Sequence, residues 1–276
     1  MDTVFIYFAA TAIFVFGTII GSFLNVVVAR YQSGLTMGGR SKCFVCGKTL
    51  GWRELFPIVS FLLQKGRCKT CKSAISWQYP VIELLTGLVF LALFAKFFFY
   101  GSNVGLYENV VLLLYTLFIA SLLIVIAGYD FKHSVIPDGF VYAFDLAAFG
   151  SLFAGGVFNA QAGIAGGVFF LFFGALWLFS RGRAMGFGDA KLALGLGWLL
   201  GFAQGIAALL VAFWSGTIIG LLLIGISKIR TLSLPGKYFT LKSEIPFGPF
   251  LVFGALISFL FRLDVSMLVP LFSFYV

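Results

Sequence analysis

The chain has 276 residues, 61% of them apolar and only 11% charged, with a mean hydropathy of +1.06 and a formal net charge of +9. So little polar surface cannot cover a water-soluble core of that size, which excludes a soluble globular protein and leaves lipid as the main solvent. The positive excess gathers beside apolar runs, where anionic lipid and membrane topology account for it, and no nucleic-acid-binding pattern accompanies it.

A span needs roughly 20 apolar residues to cross a hydrocarbon layer about 30 Å thick. The sequence supplies such stretches near 4–27, 80–100, 109–129, 137–156, 162–180, 187–203, 205–227 and 246–262. The expected fold is therefore an all-α polytopic membrane protein of about eight helices. The first span leads straight into a basic loop with no small-residue cleavage site, so it reads as a retained anchor. Asn25 sits inside it, where a side-chain amide needs a partner and can bond across helices. With the amino terminus outside, segments 28–79, 130–136, 181–186 and 228–245 and Lys191 all face the cytoplasm. That placement puts 17 of the 19 Lys and Arg residues inside and leaves Lys96 and Arg262 outside, as topology rules require.

The loop at 28–79 carries the only four cysteines, Cys43 and Cys46, then Cys68 and Cys71. Two Cys-x-x-Cys pairs that meet make a tetrahedral zinc site, and the 21 residues between them slightly exceed the usual spacing. Disulfides compete with this reading but are rare in the reducing compartment that the topology assigns to the loop. A thioredoxin-like redox pair would need a βαβ context. The loop reads as a small cytoplasmic zinc-ribbon-like insert whose four-sulfur site, having no open position, holds shape and does no chemistry.

Glu83 lies near the cytoplasmic end of the second span, where a helix-start role and contact with a substrate or methyl donor both fit. Asp130 closes the third span in YDFKHSVIPD, near His133, the only histidine. His133 is not read as part of a hydrolase triad. Asp138 follows Pro137 at the start of the fourth span, where a carboxylate favours a helix N-terminus. Asp145, on the same face, is expected to line the bundle interior. The sixth span opens as MGFGDAKL, with Asp189 behind Gly186 and Gly188 and two residues before Lys191. The glycines let backbone approach backbone or substrate; Lys191 is placed to meet an anionic partner or to snorkel to the headgroups. Glycines in GIAGG (163–167) and GLG (195–197) predict close helix approach, and GLGWLLGFAQG blurs the end of the sixth span.

Charged groups in lipid are costly enough to require a function. Asp130 and Asp189 come from distant positions yet fall at the cytoplasmic ends of their spans. Two such carboxylates a few Å apart cannot both ionise and share a proton, one acting as base on water and the other as acid toward a carbonyl, as in an aspartyl protease. An ion-coupled transporter also keeps carboxylates in its spans, though nearer mid-membrane and with an internal repeat. A non-enzymatic assembly component would need no matched acids.

The ordered series GSFLNVVVARY (21–31), the double Cys-x-x-Cys loop, ISWQYPVIELLTG (75–87), DFKHSVIPD and MGFGDAKL resembles the prepilin peptidases, the type IV leader peptidase family of membrane aspartyl proteases. The resemblance covers nearly the whole chain. It implies that Asp130 and Asp189 are the catalytic pair and that Cys43, Cys46, Cys68 and Cys71 bind the metal. It implies cleavage of the short basic leader of type IV prepilins or pseudopilins after a glycine, at the cytoplasmic face of a bacterial inner membrane. Many family members then methylate the new amino terminus with S-adenosylmethionine. No glycine-rich nucleotide fold appears here, so methyl transfer rests on the resemblance alone. The implied organisation is a first helix at 1–27, a tetracysteine loop and methyl-transfer region at 28–79 and a peptidase bundle at 80–276. Departures are CFVC for Cys-Pro-x-Cys, LFP at 55–57, and Gln78 where an arginine is common. None removes an acid or a thiol.

Overall fold

The computed structural model describes residues 3–34, 36–98, 105–183, 185–231 and 246–265. Eight α-helices appear among them: α1 (Thr3–Arg30), α2 (Val59–Leu63), α3 (Gln78–Phe98), α4 (Leu106–His133), α5 (Asp138–Ser151), α6 (Ala160–Ser180), α7 (Phe187–Thr231) and α8 (Gly248–Phe261). Five of them, α1, α3, α4, α6 and α7, are long and apolar enough to cross a bilayer. The only β-structure among the described residues is two isolated bridges in the cysteine loop. The basic segment at 232–245, with Lys237 and Lys242, lies outside the described residues.

Internal contacts divide the chain into Met1–Gly128 and Tyr129–Val276. In the first unit, α1 and α3 pack antiparallel along a seam of small residues. A Cβ at Gly17 would stand 2.8 Å from Gly87 Cα, and one at Gly21 2.8 Å from Glu83 Cα, so the absence of side chains is what allows the close crossing. Asn25 donates its side-chain N–H to the Tyr79 carbonyl at 3.0 Å, so the end of α1 is level with the start of α3. This is the cross-helix bond its amide requires in lipid.

In the second unit, α7 is two helices in one. Gly201, at φ 68° and ψ −171°, leaves helical space in a region open essentially to glycine alone. Neighbours show that the chain reverses there. Gly166 of α6 faces Leu194 and Trp198, and Trp177 meets Phe187, so α6 runs antiparallel to the first arm of α7. Phe169 meets Phe202 and Phe173 stacks with Phe213, so the same helix runs parallel to the second arm. The sixth and seventh spans expected from sequence are these arms, with the boundary at Gly201 and no intervening loop. Contacts of Ile136 with Gly188 and of Ser151 with Trp198 run α5 parallel to the first arm. Ser258 donates to the Gln204 carbonyl while Gly254 sits on Ala208 and Ala212, so α8 is antiparallel to the second arm. The starts of α5, α7 and α8 therefore lie at one end of this unit.

The helix bounds extend several expected spans. α4 continues to His133, so Asp130 sits inside the last turn instead of closing the helix. α5 and α8, at 14 residues each, are shorter than the stretches expected from apolar runs, because Ser151 and Phe261 are followed by turns.

Candidate functional site: two buried carboxylates and a four-cysteine cluster

Asp130 is 4% exposed and Asp189 6%. Asp189 stands in the first turn of α7, entered through the glycines of MGFGD. The Gly186 N–H donates to Asp189 Oδ2 at 3.2 Å, which turns the side chain back over the helix entry. Its other oxygen, Oδ1, is buried and finds no hydrogen-bond partner in the structure. Gly188 is bare because a Cβ there would come within 2.7 Å of Ile136, which the loop before α5 lays against it.

Asp130 is held differently. The Gly248 N–H donates to its Oδ2 at 3.0 Å. Gly248 is the first residue of α8, followed by Pro249, so the carboxylate caps the positive end of a helix that lacks a side-chain cap of its own. A Cβ on Gly248 would sit 2.6 Å from that oxygen. Asp189, in the first turn of α7, and Asp130, on the first N–H of α8, thus lie at the end of the second unit where α5, α7 and α8 begin. Gly248 was not singled out from sequence. The Gly-Pro pair opening an apolar run marks a helix start, but which anion it receives is a matter of tertiary contact.

The remaining acids fall into separate surroundings. Asp138 is exposed at the start of α5 and pairs with Lys191, whose ammonium also lies over the Tyr142 and Phe187 rings at 5.3 and 5.4 Å. Asp145 is buried and, like the neighbouring Phe144, faces Gly195, with Oδ1 unpartnered. His133 stacks on Tyr129 at 4.4 Å. Glu83, buried in α3, accepts the Ile58 N–H at 2.7 Å.

The four cysteines come together in the first unit. Their sulfurs all lie within 4.8 Å of one another, and none is in a disulfide. Two matching turns bring them there. Cys43 N–H donates to Lys48 O and Gly47 N–H to Cys43 O; Cys68 N–H donates to Ser73 O and Lys72 N–H to Cys68 O. The equivalent positions Gly47 and Lys72 both adopt positive φ, 70° and 59°. Tetrahedral zinc with Zn–S of about 2.3 Å requires sulfurs about 3.8 Å apart, and Cys43 and Cys71 Sγ are 3.8 Å apart. Backbone N–H groups of Cys46 and Val45 lower the Cys43 thiol to about 6, while the Ser73 hydroxyl and N–H lower Cys71. At Cys46 the Lys48 N–H pulls down, but burial and the three neighbouring sulfurs prevail and push it up to about 11. Four thiolates this close repel one another, and a divalent metal bound among them would supply the compensating charge.

Residues 15–97 match the model of the bacterial peptidase A24 N-terminal domain, and residues 117–221 match the type IV leader peptidase family. A prepilin leader peptidase/N-methyltransferase of Bacillus subtilis is 33% identical over 90% of this chain and 93% of its own length. A protein of the same name from Myxococcus xanthus is 34% identical over 78% of this chain and 63% of its own length. One from Klebsiella pneumoniae is 31% identical over 72% and 89%. No solved structure matches the chain significantly. Two carboxylates at one end of the second unit thus fall within the stretch matching the peptidase model, the cysteine cluster within the N-terminal one, and the chain belongs to the type IV leader peptidase family.

Proposed function

We propose that this multi-pass membrane protein cleaves the leader peptide of type IV prepilins or pseudopilins with Asp130 and Asp189 as its catalytic pair, and then N-methylates the new amino terminus. The observation that carries the peptidase reading is the unpartnered oxygen of Asp189, buried at the same end of the unit as a second buried carboxylate, Asp130. A buried orphan oxygen costs stability and persists where a substrate or water completes it. The pair shares one proton. Asp130, with the α8 terminus against one oxygen, takes a proton from the attacking water. Asp189 gives its proton to the scissile carbonyl, and the hydrated intermediate collapses as the amine leaves with a proton from the pair. The cut strand must be extended, since a helical peptide bond is shielded by its own hydrogen bonds.

Methyl transfer follows from the names of the relatives. S-adenosylmethionine is the methyl-donating substrate, and the freshly cut α-amine is the acceptor. We assign this step to residues 28–79, cleavage to residues 80–276, and the membrane anchor before them to 1–27. The cysteines bind zinc as a structural ion that fixes the loop. Gly186, Gly188, Asp138, Lys191 and Glu83 support these sites by packing and pairing. The bilayer is the bacterial inner membrane, with the amino terminus outside and the acids at the cytoplasmic face, which the distribution of Lys and Arg supports. The relatives reported above all carry the peptidase name, so an ion-coupled transporter is not favoured.

The test is mass spectrometry of a prepilin co-expressed with Asp130→Asn or Asp189→Asn. Each variant should leave the leader attached while the enzyme still accumulates in the membrane. Processing at the normal rate in both would end the proposal.

A further inference from the structure

The segment between the cysteine pairs is apolar where a water-facing loop would be polar. It reads WRELFPIVSFLL over 52–63, and Leu55, Phe56, Val59, Leu62 and Leu63 are exposed, Leu62 to 64% and Leu63 to 78%. Its one acid, Glu54, is neutralised by Lys48 at 3.1 Å, while Arg53, Lys65 and Arg67 flank it. Water is a poor neighbour for that surface.

Two contacts fix its depth. Ile58 N–H donates to Glu83 Oε2, and from Gln78 to Glu83 helix α3 climbs about 7.5 Å. Phe61 meets Trp77, the residue before α3, edge-on at 4.8 Å. The segment therefore lies beside the first turns of a membrane span, level with the end of α1 through the bond of Asn25 to Tyr79. The backbone bends sharply to get there. Ile58 has φ 60° and ψ −53°, and Val59 N–H closes onto Pro57 O at 2.5 Å in the rarer hand of γ-turn. A β-branched residue holds that conformation only where its surroundings impose it.

We propose that residues 55–63 form an interfacial anchor, their apolar side chains sunk into the headgroup–acyl boundary of an anionic bilayer and their backbone pinned by the Glu83 carboxylate. The occupant is lipid because spans tether both ends of the loop, so bilayer always lies at this level. Interfacial segments of this kind bury their apolar face about 5–10 Å deep and keep cations at the headgroups. The arrangement of Leu62 and Leu63 beside Lys65 and Arg67 follows that pattern.

The test uses the full chain in phosphatidylethanolamine–phosphatidylglycerol nanodiscs doped with a phospholipid bearing a diazirine on its acyl chain. Labelled peptides are mapped by mass spectrometry, alongside hydroxyl-radical footprinting from the water phase. Residues 55–63 should take the lipid label as α3 does and resist the radicals, and residues 41–50 should do the reverse. Leu62→Ser and Leu63→Ser should each lower lipid labelling by roughly tenfold with thermal melting unchanged. Glu83→Ala should lower it too, and Glu83→Gln, which keeps an acceptor oxygen, should restore it. Radical labelling without lipid labelling would mean a water-facing loop, and protection from both probes a protein-covered one; either overturns the proposal, as would leucine variants labelled like the parent.

Discussion

Gly248 shows how one missing side chain can position a buried carboxylate. Its N–H holds Asp130, and the space a Cβ would need is occupied by the oxygen it holds. Gly248→Ala should push Asp130 out of place and lower prepilin cleavage by about 100-fold, measured as turnover of purified enzyme, with little change in membrane accumulation. Unchanged turnover would show that Asp130 does not depend on this contact. At the cysteines, environment separates chemically identical thiols. Cys43 is depressed to about 6 by backbone donors and Cys46 raised to about 11. In metal-free protein a haloacetamide at pH 7 should therefore alkylate Cys43 well before Cys46. The Cys43 rate should fall only as pH drops through about 6, because a depressed thiol keeps its charge down to its folded value. Equal rates at both residues would contradict that ordering.

At the scale of the element, Gly201 makes two spans out of one helix. Its φ of 68° with ψ near the extended limit is closed to side-chain-bearing residues. Gly201→Ala should cost about 1–3 kcal/mol and lower Tm by several degrees in detergent, although a Cβ there would meet nothing within 4 Å. The strain is in the backbone and not in packing, so a larger cavity or smaller neighbours would not relieve it. A Tm within error of the parent would show that the reversal tolerates other conformations. The pairing of Lys191 with Asp138 is a different case. Asp138 is more than half exposed, so Lys191→Met should change stability by less than about 1 kcal/mol, read by the same melts.

At the scale of the whole molecule, the cysteine cluster and the two buried acids fall in separate contact units, Met1–Gly128 and Tyr129–Val276. Cys43→Ser or Cys68→Ser should abolish bound zinc, measured as metal per chain, while leader cleavage persists and methylation of the product falls. Retained metal stoichiometry would defeat the four-sulfur site, and loss of cleavage would defeat the division of labour.

The sequence alone determined the polytopic all-α class, because hydrocarbon admits few alternatives for apolar runs of span length. It also identified both acids and all four cysteines as candidates, since a charge in lipid and a doubled Cys-x-x-Cys are rare enough to stand out locally. Tertiary structure alone decided what those groups touch. No local pattern says that α8 lends its first N–H to Asp130, that Asp189 keeps one oxygen free, or that Glu83 reaches Ile58 across 25 positions of chain. Nor could periodicity locate the reversal at Gly201, since helical sequence continues on both sides of it. Burial and composition act through each residue's own transfer energy and are legible one segment at a time; partner choice depends on distances between segments, which exist only once the chain has packed.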